Sequence, residues 1–305
     1  GAGYTVTLTN TLPEGAISGL FTINSGGDQV YFSQGNLQYI GSAATPYWKF
    51  AENQWDYLGT TTGQNSDATN VDRDLFGWGT SGYHDSNDPY NTNYYPYSTS
   101  LTAFDSETEP EAYNNNRYGY GPSTNQSNPN IAGSNYDWGV YNTISNGGTS
   151  SWRTLTSAEW GYVFNTRSAS TVNGTANARY AKAKVNNTLG VILFPDNYNH
   201  PNDVTLPVAD GINSIGKAGW NNNNYSETDW SKMEAAGAVF LPAAGNRSNI
   251  TVSVSGTEGY YWSSTYSDSD VRHALGLRFT ASRFSPQIGA YRYSGRSVRL
   301  VCPVE

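Results

Sequence analysis

The chain has a single cysteine, Cys302, in 305 residues, and this limits how it can be stabilised. One cysteine excludes an intramolecular disulfide bond and a cysteine-based zinc cluster. Stability must therefore come from a buried core, and a chain of this length with 37% hydrophobic residues can form one. A disordered or fibrous protein is not expected.

Charge limits the partners that the chain can bind. The net charge is −8, the sequence pI is about 4.9, and only 14% of the residues are charged. The chain as a whole therefore offers no basic footprint for nucleic acid or anionic lipid. No apolar run approaches the ~20 residues of a membrane span. We therefore expect no nucleic-acid partner and no direct membrane insertion. The last 46 residues differ, because six Arg against two Asp and one Glu give this segment +3.

Short apolar patterns predict strands in both halves of the chain. Polar and apolar residues alternate over residues 4–9 and 28–33, which predicts N-terminal strands. Two continuous apolar runs, at 190–194 and 238–241, are each followed by proline and predict buried strands.

Two helices are predicted from capping residues as well as from pattern. Thr156 and Glu159 have the spacing of a capping box, in which both side chains satisfy backbone N–H groups at a helix start. A second helix is predicted over residues 227–236 and should end at Gly237.

Residues 60–149 are dominated by Asn, Ser, Gly, Tyr and Pro. A structureless loop of this length is improbable in a compact domain. We therefore expect long ordered loop insertions, held by apolar islands at 75–79 and 138–140. Residues 1–27 should form an N-terminal strand or arm. No linker divides the sequence, so one domain over residues 1–305 is the simplest interpretation.

The C-terminal segment again shows strand periodicity. Alternation over residues 275–280 predicts one buried and one solvent-facing side. A turn is predicted at Ser285 and Pro286, and a closing strand at 297–301. The predicted inward residues are Leu275, Leu277 and Phe279, and the outward ones are Gly276, Arg278 and Thr280.

Several motifs resemble those of a known family. The run WRTLTSAEW at 152–160 resembles the helix start of C-type-lectin-like proteins related to formylglycine-generating enzymes. The runs GYYWSST at 259–265 and GRSVRLV at 295–301 are similar to the framework around the variable region of bacterial paralogues diversified by retroelements. The resemblance implies an α+β, C-type-lectin-like fold with two helices, short antiparallel strands and long inserted loops. It also implies that a strand at 29–32 lies near one at 298–301.

The resemblance further implies a hypervariable segment within residues 260–301. In such systems, mutated adenines change Asn codons to many residue types, but never to Lys, Glu, Gln, Met or Trp. These five types make up 32 of the 305 residues, so 42 average residues should hold about four, whereas residues 263–304 hold only Gln287. An ordinary β-rich tail remains an alternative, because Lys and Glu are poor strand formers. The candidate binding residues are Ser267, Asp268, Ser269, Asp270, Arg272, His273, Gly276, Arg278, Thr280, Ser282, Arg283, Ser285, Ile288, Gly289, Tyr291, Tyr293 and Ser294.

The resulting functional prediction is non-catalytic, selective ligand binding by a receptor- or adhesin-type surface. Planar guanidinium groups would contact an acidic patch, and aromatic rings would supply contact area. The partner is expected to be a protein or a glycan. Two alternatives stay open: a glycan-binding or glycan-cleaving surface protein with its site in the loops before residue 149, and a purely structural surface or phage-tail protein. The resemblance implies an extracellular or cell-surface location, through a lipid anchor or on a phage particle.

Catalytic chemistry is not expected from these residues. Formylglycine-generating enzymes hold copper with an active-site cysteine pair, and this chain has only Cys302. His84, His200 and His273 lack the paired spacing of zinc sites. No cofactor is therefore expected.

Carboxylates leave two possibilities to weigh. Loop aspartates could supply oxygen ligands to a structural calcium ion; they are Asp67, Asp72, Asp74, Asp85 and Asp88. A carboxylate pair for glycoside hydrolysis could be drawn from Glu107, Glu109, Glu111 and Asp196, although clustered acids in polar loops are usually solvated.

Overall fold

The computed structural model describes residues 1–5, 11–87, 94–99, 130–206, 211–214, 220–270 and 273–305. Within these ranges the chain forms sixteen short strands and three α-helices. The helices are α1 (Trp138–Tyr141), α2 (Ser157–Asn165) and α3 (Glu227–Ala235). The strands are β1 (Phe21–Thr22), β2 (Gln29–Phe32), β3 (Leu37–Ile40), β4 (Tyr47–Phe50), β5 (Asp72–Arg73), β6 (Arg153–Thr154), β7 (Tyr180–Val185), β8 (Thr188–Leu193), β9 (Asn224–Tyr225), β10 (Val239–Pro242), β11 (Asn246–Ser248), β12 (Thr251–Ser253), β13 (Gly259–Tyr266), β14 (His273–Phe279), β15 (Phe284–Tyr291) and β16 (Leu300–Pro303).

The expected α+β, C-type-lectin-like architecture is wrong, because strands dominate the structure. Strands make up 31% of the structure and helices 11%. The strands form five sheets in the described part of the chain, and their pairings are antiparallel apart from that of β7 with β9. Helices α2 and α3 have nine residues each and are too short to form a layer of their own. The protein is a mainly β fold.

Both predicted helices are nevertheless present where their caps indicated. The Thr156 side chain accepts from the Glu159 N–H, and the Glu159 carboxylate accepts from the Thr156 N–H, which completes the capping box of α2. Ser226 caps α3, and Gly237 follows its end with a φ of +97°. No helix in the described ranges is both long and apolar enough to cross a lipid bilayer.

The N- and C-terminal segments share one four-stranded sheet, in the order β1-β2-β16-β6. Strand β16 pairs with β2 through Val301 opposite Phe32, so the predicted proximity of these two segments is confirmed. Their inward side chains join a core that also contains Trp160 of α2. Residues 1–5 form no strand, and residues 6–10 lie outside the described residues, so the predicted strand at 4–9 is not seen in the part that is described.

A second sheet has the order β10-β8-β7-β9. Strands β8 and β10 match the two predicted apolar runs and pair antiparallel, with Phe240 opposite Ile192. Trp230 and Met233 of α3 are buried in the core on this sheet. The prediction of two buried strands is therefore confirmed.

The C-terminal sheet has the order β13-β14-β15, with β14 in the middle. Its turn lies at residues 280–283, so the turn predicted at Ser285 and Pro286 is wrong. Pro286 instead lies in the edge strand β15, where the loss of a backbone N–H is tolerated. Leu277 contributes to one core and Ala274 to another, because both faces of this sheet are largely covered.

The apolar islands of the predicted loop region are buried. Phe76 and Trp78 of the first island and Trp138 of the second are 0% exposed and lie in one core with Trp262. Much of the region, residues 88–93 and 100–129, lies outside the described residues. In the described remainder, these aromatic residues are therefore part of the core.

Candidate binding surface

Most candidate residues lie on the C-terminal sheet, at its two ends. Strand β14 begins at His273, and Arg278 lies five residues further on, which corresponds to about 17 Å of extended chain. The aromatic end consists of Asp270, His273, Gly289, Tyr291 and Tyr293. The hairpin end consists of Arg278, Thr280, Ser282, Arg283 and Ser285. Arg272 lies outside the described residues.

The aromatic end contains three rings in a row. His273 and Tyr291 are cross-strand partners, and their ring centroids are 4.6 Å apart at an interplanar angle of 88°. Tyr291 stacks on Tyr293 at 5.1 Å and 14°. Nε2 of His273 is 3.7 Å from Oδ2 of Asp270. Tyr291 is 38% exposed, whereas Nε2 of His273 is buried, so the row presents the aromatic surface of Tyr291 to solvent.

A buried framework holds the aromatic end in place. The Arg292 guanidinium lies 4.8 Å from the centroid of the Trp78 ring, and its Nε donates to the His273 carbonyl at 3.1 Å. The Ser267 N–H donates to the same carbonyl at 3.1 Å, and the Trp78 N–H donates to the Arg292 carbonyl at 2.8 Å. The backbone beneath the rings is therefore fixed by a residue, Arg292, that is only 1% exposed.

The hairpin end is organised by the turn between β14 and β15. The Thr280 N–H donates to the Arg283 carbonyl at 2.8 Å, and the Arg283 N–H donates to Oγ1 of Thr280 at 3.1 Å. Arg278 lies opposite Tyr260 on β13 and Ser285 on β15. Ser282 and Arg283 are exposed, whereas Arg278, Thr280 and Ser285 are partly buried.

The remaining candidates differ in exposure. Asp268 and Ser269 are exposed in the connection between β13 and β14, and Ile288 is partly buried. Ser267, Gly276 and Ser294 are buried rather than displayed. A Cβ on Gly276 would lie 2.6 Å from the Tyr261 carbonyl oxygen, so this position requires glycine and does not belong to a displayed surface.

A stack of aromatic residues near the aromatic end lies in the loops before residue 149, where the alternative glycan site was expected, but its tyrosines were not named as site residues. The ring centroids of Tyr94 and Tyr95 are 4.2 Å apart, and those of Tyr95 and Tyr97 are 5.1 Å apart at 6°. His84 stacks on Tyr94 at 4.3 Å. Ser98, which follows the stack, and Arg292 both lie next to Gly77. A Cβ added to Gly77 would be 2.6 Å from the Ser98 carbonyl oxygen and 3.5 Å from that of Arg292, so the end of the stack is close to the Arg292 backbone. The YYPY run at 94–97 was the available signal.

Several of the residues considered for metal binding or catalysis make other contacts in the described part of the chain. In the described ranges, no three His, Cys, Asp or Glu side chains are grouped so that they could hold a metal ion. Asp72 accepts from Ser42, and Asp85 accepts from the Asn87 N–H. Both ring nitrogens of His200 are hydrogen-bonded. Asp88, Glu107, Glu109 and Glu111 lie outside the described residues.

Cys302 and Asp196 are both parts of the structural framework. Burial raises the pKa of the Cys302 thiol to about 11, so the thiolate needed for nucleophilic chemistry is scarce at neutral pH. Asp196 accepts from the Thr22 backbone and from the Gln29 side chain, and its Oδ1 pairs with the Arg167 guanidinium at 3.1 Å. Its carboxylate therefore links β1, β2 and the residues that follow α2.

The chain matches no protein-family model, no curated protein and no solved structure. The resemblance to retroelement-diversified proteins therefore rests on the sequence motifs alone.

Proposed function

We propose that the protein is a non-catalytic binding protein that recognises a protein or glycan ligand through the aromatic end. The observation that carries this proposal is the row of His273, Tyr291 and Tyr293 above a buried Arg292 framework. Tyrosine supplies a large amphipathic contact area and loses little side-chain entropy on binding. A framework that already orders the rings reduces the entropic cost of binding further. We place this recognition outside the cell, at a cell or phage surface.

The proposal predicts that Tyr291 is an energetic hot spot. Peptides selected on the immobilised full chain from a random library provide probes that do not require the natural ligand to be known. Tyr291→Ala is expected to weaken binding of the selected peptides by about tenfold or more, since truncating a hot-spot tyrosine typically costs about 2 kcal/mol or more. The measurement is the peptide Kd by titration.

Tyr47 provides the matched control for this experiment. It is a similarly exposed tyrosine, at 42%, on the separate strand β4, and Tyr47→Ala should leave the Kd unchanged. Peptides that bind the Tyr291→Ala protein as tightly as the original would contradict the proposal. If Tyr95→Ala abolished their binding instead, the site would move to the tyrosine stack, as the glycan-binding alternative requires.

Diversification of the C-terminal segment is part of the same proposal. The exposed candidates in the strand connections, Asp268, Ser269, Ser282 and Arg283, are at positions where replacements leave a core intact. The neighbouring genome is expected to contain a near-repeat of the DNA for residues 260–301, differing at adenines, beside a reverse transcriptase gene. Genome sequencing tests this. Mismatches at the codons of buried Trp262 or Phe279 would contradict diversification of a displayed surface.

A further inference from the structure

Arg278 of the hairpin end and the neighbouring Arg296 form a pair of guanidinium groups that lack hydrogen-bond and ion-pair partners among the described residues. The Arg296 guanidinium lies 4.2 Å from the centroid of the Tyr260 ring and 5.5 Å from that of Trp262. Arg278, the cross-strand partner of Tyr260, is close enough to Arg296 for their charges to interact. Among the described residues, neither guanidinium makes a hydrogen bond or an ion pair, and Nε of both and Nη1 of Arg296 are buried without a partner.

This pair differs from three arginines that are buried in the fold. Arg167, Arg247 and Arg299 each donate four hydrogen bonds to protein oxygen atoms. Arg278 and Arg296 are oriented by aromatic rings and strand pairing instead. The remaining guanidinium nitrogens are both Nη atoms of Arg278 and Nη2 of Arg296. They lie at the surface and make no hydrogen bond to a described residue.

The charge balance at the pair is also incomplete. The carboxylate close enough to affect both Arg296 and Tyr260 is that of Glu258, and it accepts the hydroxyl hydrogen of Tyr260. Two guanidinium groups and one carboxylate leave one positive charge. Burial, together with the neighbouring Arg278 charge, lowers the pKa of Arg296 to about 10. Unpaired, partly buried charges with unsatisfied N–H groups are costly, so an anion in contact with both groups would be favoured.

We propose that Arg278 and Arg296 form a binding site for a single carboxylate group of a ligand, with Tyr260 holding Arg296 in position. A carboxylate is planar and carries one charge, which matches the guanidinium fork and the one uncompensated positive charge. A phosphate dianion would exceed this charge. The site lies at the opposite end of β14 from the aromatic end, so it is independent of the proposed function and can be tested separately.

The test is a titration of sodium glucuronate into the full chain, followed in ¹H–¹⁵N spectra of the arginine Nε–H groups. Sodium chloride at equal ionic strength and the neutral amide glucuronamide are the reference titrants. A parallel titration with N-acetylglutamate α-amide presents the same carboxylate from a peptide source. The expected result is a saturable shift of the Arg278 and Arg296 signals with one or both acids and none with the amide.

Three variants give the proposal its sharpest test. Arg278→Gln is expected to weaken carboxylate binding by about tenfold or more. Lys49→Gln makes the same charge change on β4 and should alter the affinity by less than about twofold. Glu258→Gln removes the competing charge and is expected to tighten binding by about two- to fivefold, a gain that misfolding cannot produce. The proposal would be overturned if glucuronamide bound as well as the acids, or if neither acid gave a saturable shift. It would also be overturned if Arg278→Gln and Lys49→Gln had equal effects, or if Glu258→Gln bound the carboxylate more weakly.

Arg278→Gln should also be well tolerated by the unliganded protein. The Arg278 guanidinium donates no hydrogen bond to a described residue, and its charge repels that of Arg296. The variant is therefore expected to unfold at the same temperature as the original chain or slightly above it. A clear fall in unfolding temperature would mean that Arg278 stabilises the sheet, and it would overturn its assignment as a ligand-binding residue.

Discussion

Replacing Arg299 with methionine is expected to lower the free energy of unfolding by about 3–5 kcal/mol, because it breaks a buried network that joins separate sheets. Arg299 is 0% exposed. Its Nε donates to the Ser33 carbonyl at 3.0 Å, and its Nη1 donates to the Phe240 carbonyl at 2.8 Å. Nη2 donates to Oε1 of Gln54 at 2.7 Å. These acceptors belong to the β2 end of the first sheet, to β10 of the second, and to the loop after β4.

The network continues beyond Arg299. Gln54 also accepts from the Phe240 N–H at 2.8 Å, and its Nε2 donates to the Glu234 carboxylate at 2.9 Å. Methionine keeps an unbranched apolar side chain but donates nothing, so several buried acceptors would lose their partner at once. The loss should therefore exceed the stabilisation of any single hydrogen bond.

Urea unfolding of the full chain, followed by tryptophan fluorescence, measures this loss. Lys184→Met on β7 is the control, because it removes a partly buried cation that makes no hydrogen bond to a described residue, and it should change stability by less than about 0.5 kcal/mol. If Arg299→Met also cost less than about 1 kcal/mol, the network would not be a main link between the sheets.

Local signals in the sequence predicted individual elements better than their assembly. The capping box at Thr156 and Glu159 located α2, and the apolar run at 190–194 located β8, because both depend on neighbouring residues only. The fold class was wrong because two nine-residue helices with clear caps dominate the pattern without dominating the structure. Strands of two to four residues, such as β1 and β5, are too short to show a period.

The sequence-based prediction of the candidate surface was wrong in its details for a related reason. The period of two correctly predicted that side chains alternate between the two faces of β14. The added assumption that one of these faces is exposed to solvent was wrong. A second core containing Trp78 and Trp262 covers much of the other face, so Gly276 is buried. Arg278 and His273 were grouped because they are near in sequence, although five residues of strand separate them. Only the paired strands could show that Arg278 lies beside Tyr260.

The second large effect concerns Asp74, whose replacement by asparagine is expected to stabilise the protein above pH 6. Asp74 is 0% exposed. Its Oδ2 accepts the Leu58 N–H at 2.8 Å, whereas Oδ1 is buried and accepts no hydrogen bond from a described residue. The adjacent Arg73 guanidinium donates to the Gln64 carbonyl instead, and the other close titratable group is the Tyr261 phenol. Burial without a cation therefore raises the Asp74 pKa to about 6.

The sign of the pH dependence follows from this shift. Between its ordinary pKa of 3.8 and about 6, the folded protein binds a proton that the unfolded chain has released, so stability falls as pH rises. The contribution is fully present below about pH 4 and lost above about pH 6, and this difference corresponds to about 3 kcal/mol. An asparagine side chain at this position has no charge to bury and can still accept from the Leu58 N–H. We therefore expect Asp74→Asn to be more stable than the original by about 2–3 kcal/mol at pH 8, and no more stable at pH 4.

Asp137 provides the contrast that makes the experiment specific. Burial also raises its pKa to about 6, but its two oxygens accept from the Gly139 N–H and from both the N–H and the hydroxyl of Thr154. An amide nitrogen cannot accept these hydrogen bonds, so Asp137→Asn should destabilise the protein by about 1–2 kcal/mol. Urea unfolding at pH 4, 6 and 8 measures both variants. An Asp74→Asn effect of the same size at pH 4 and pH 8 would show that the buried charge is not its cause.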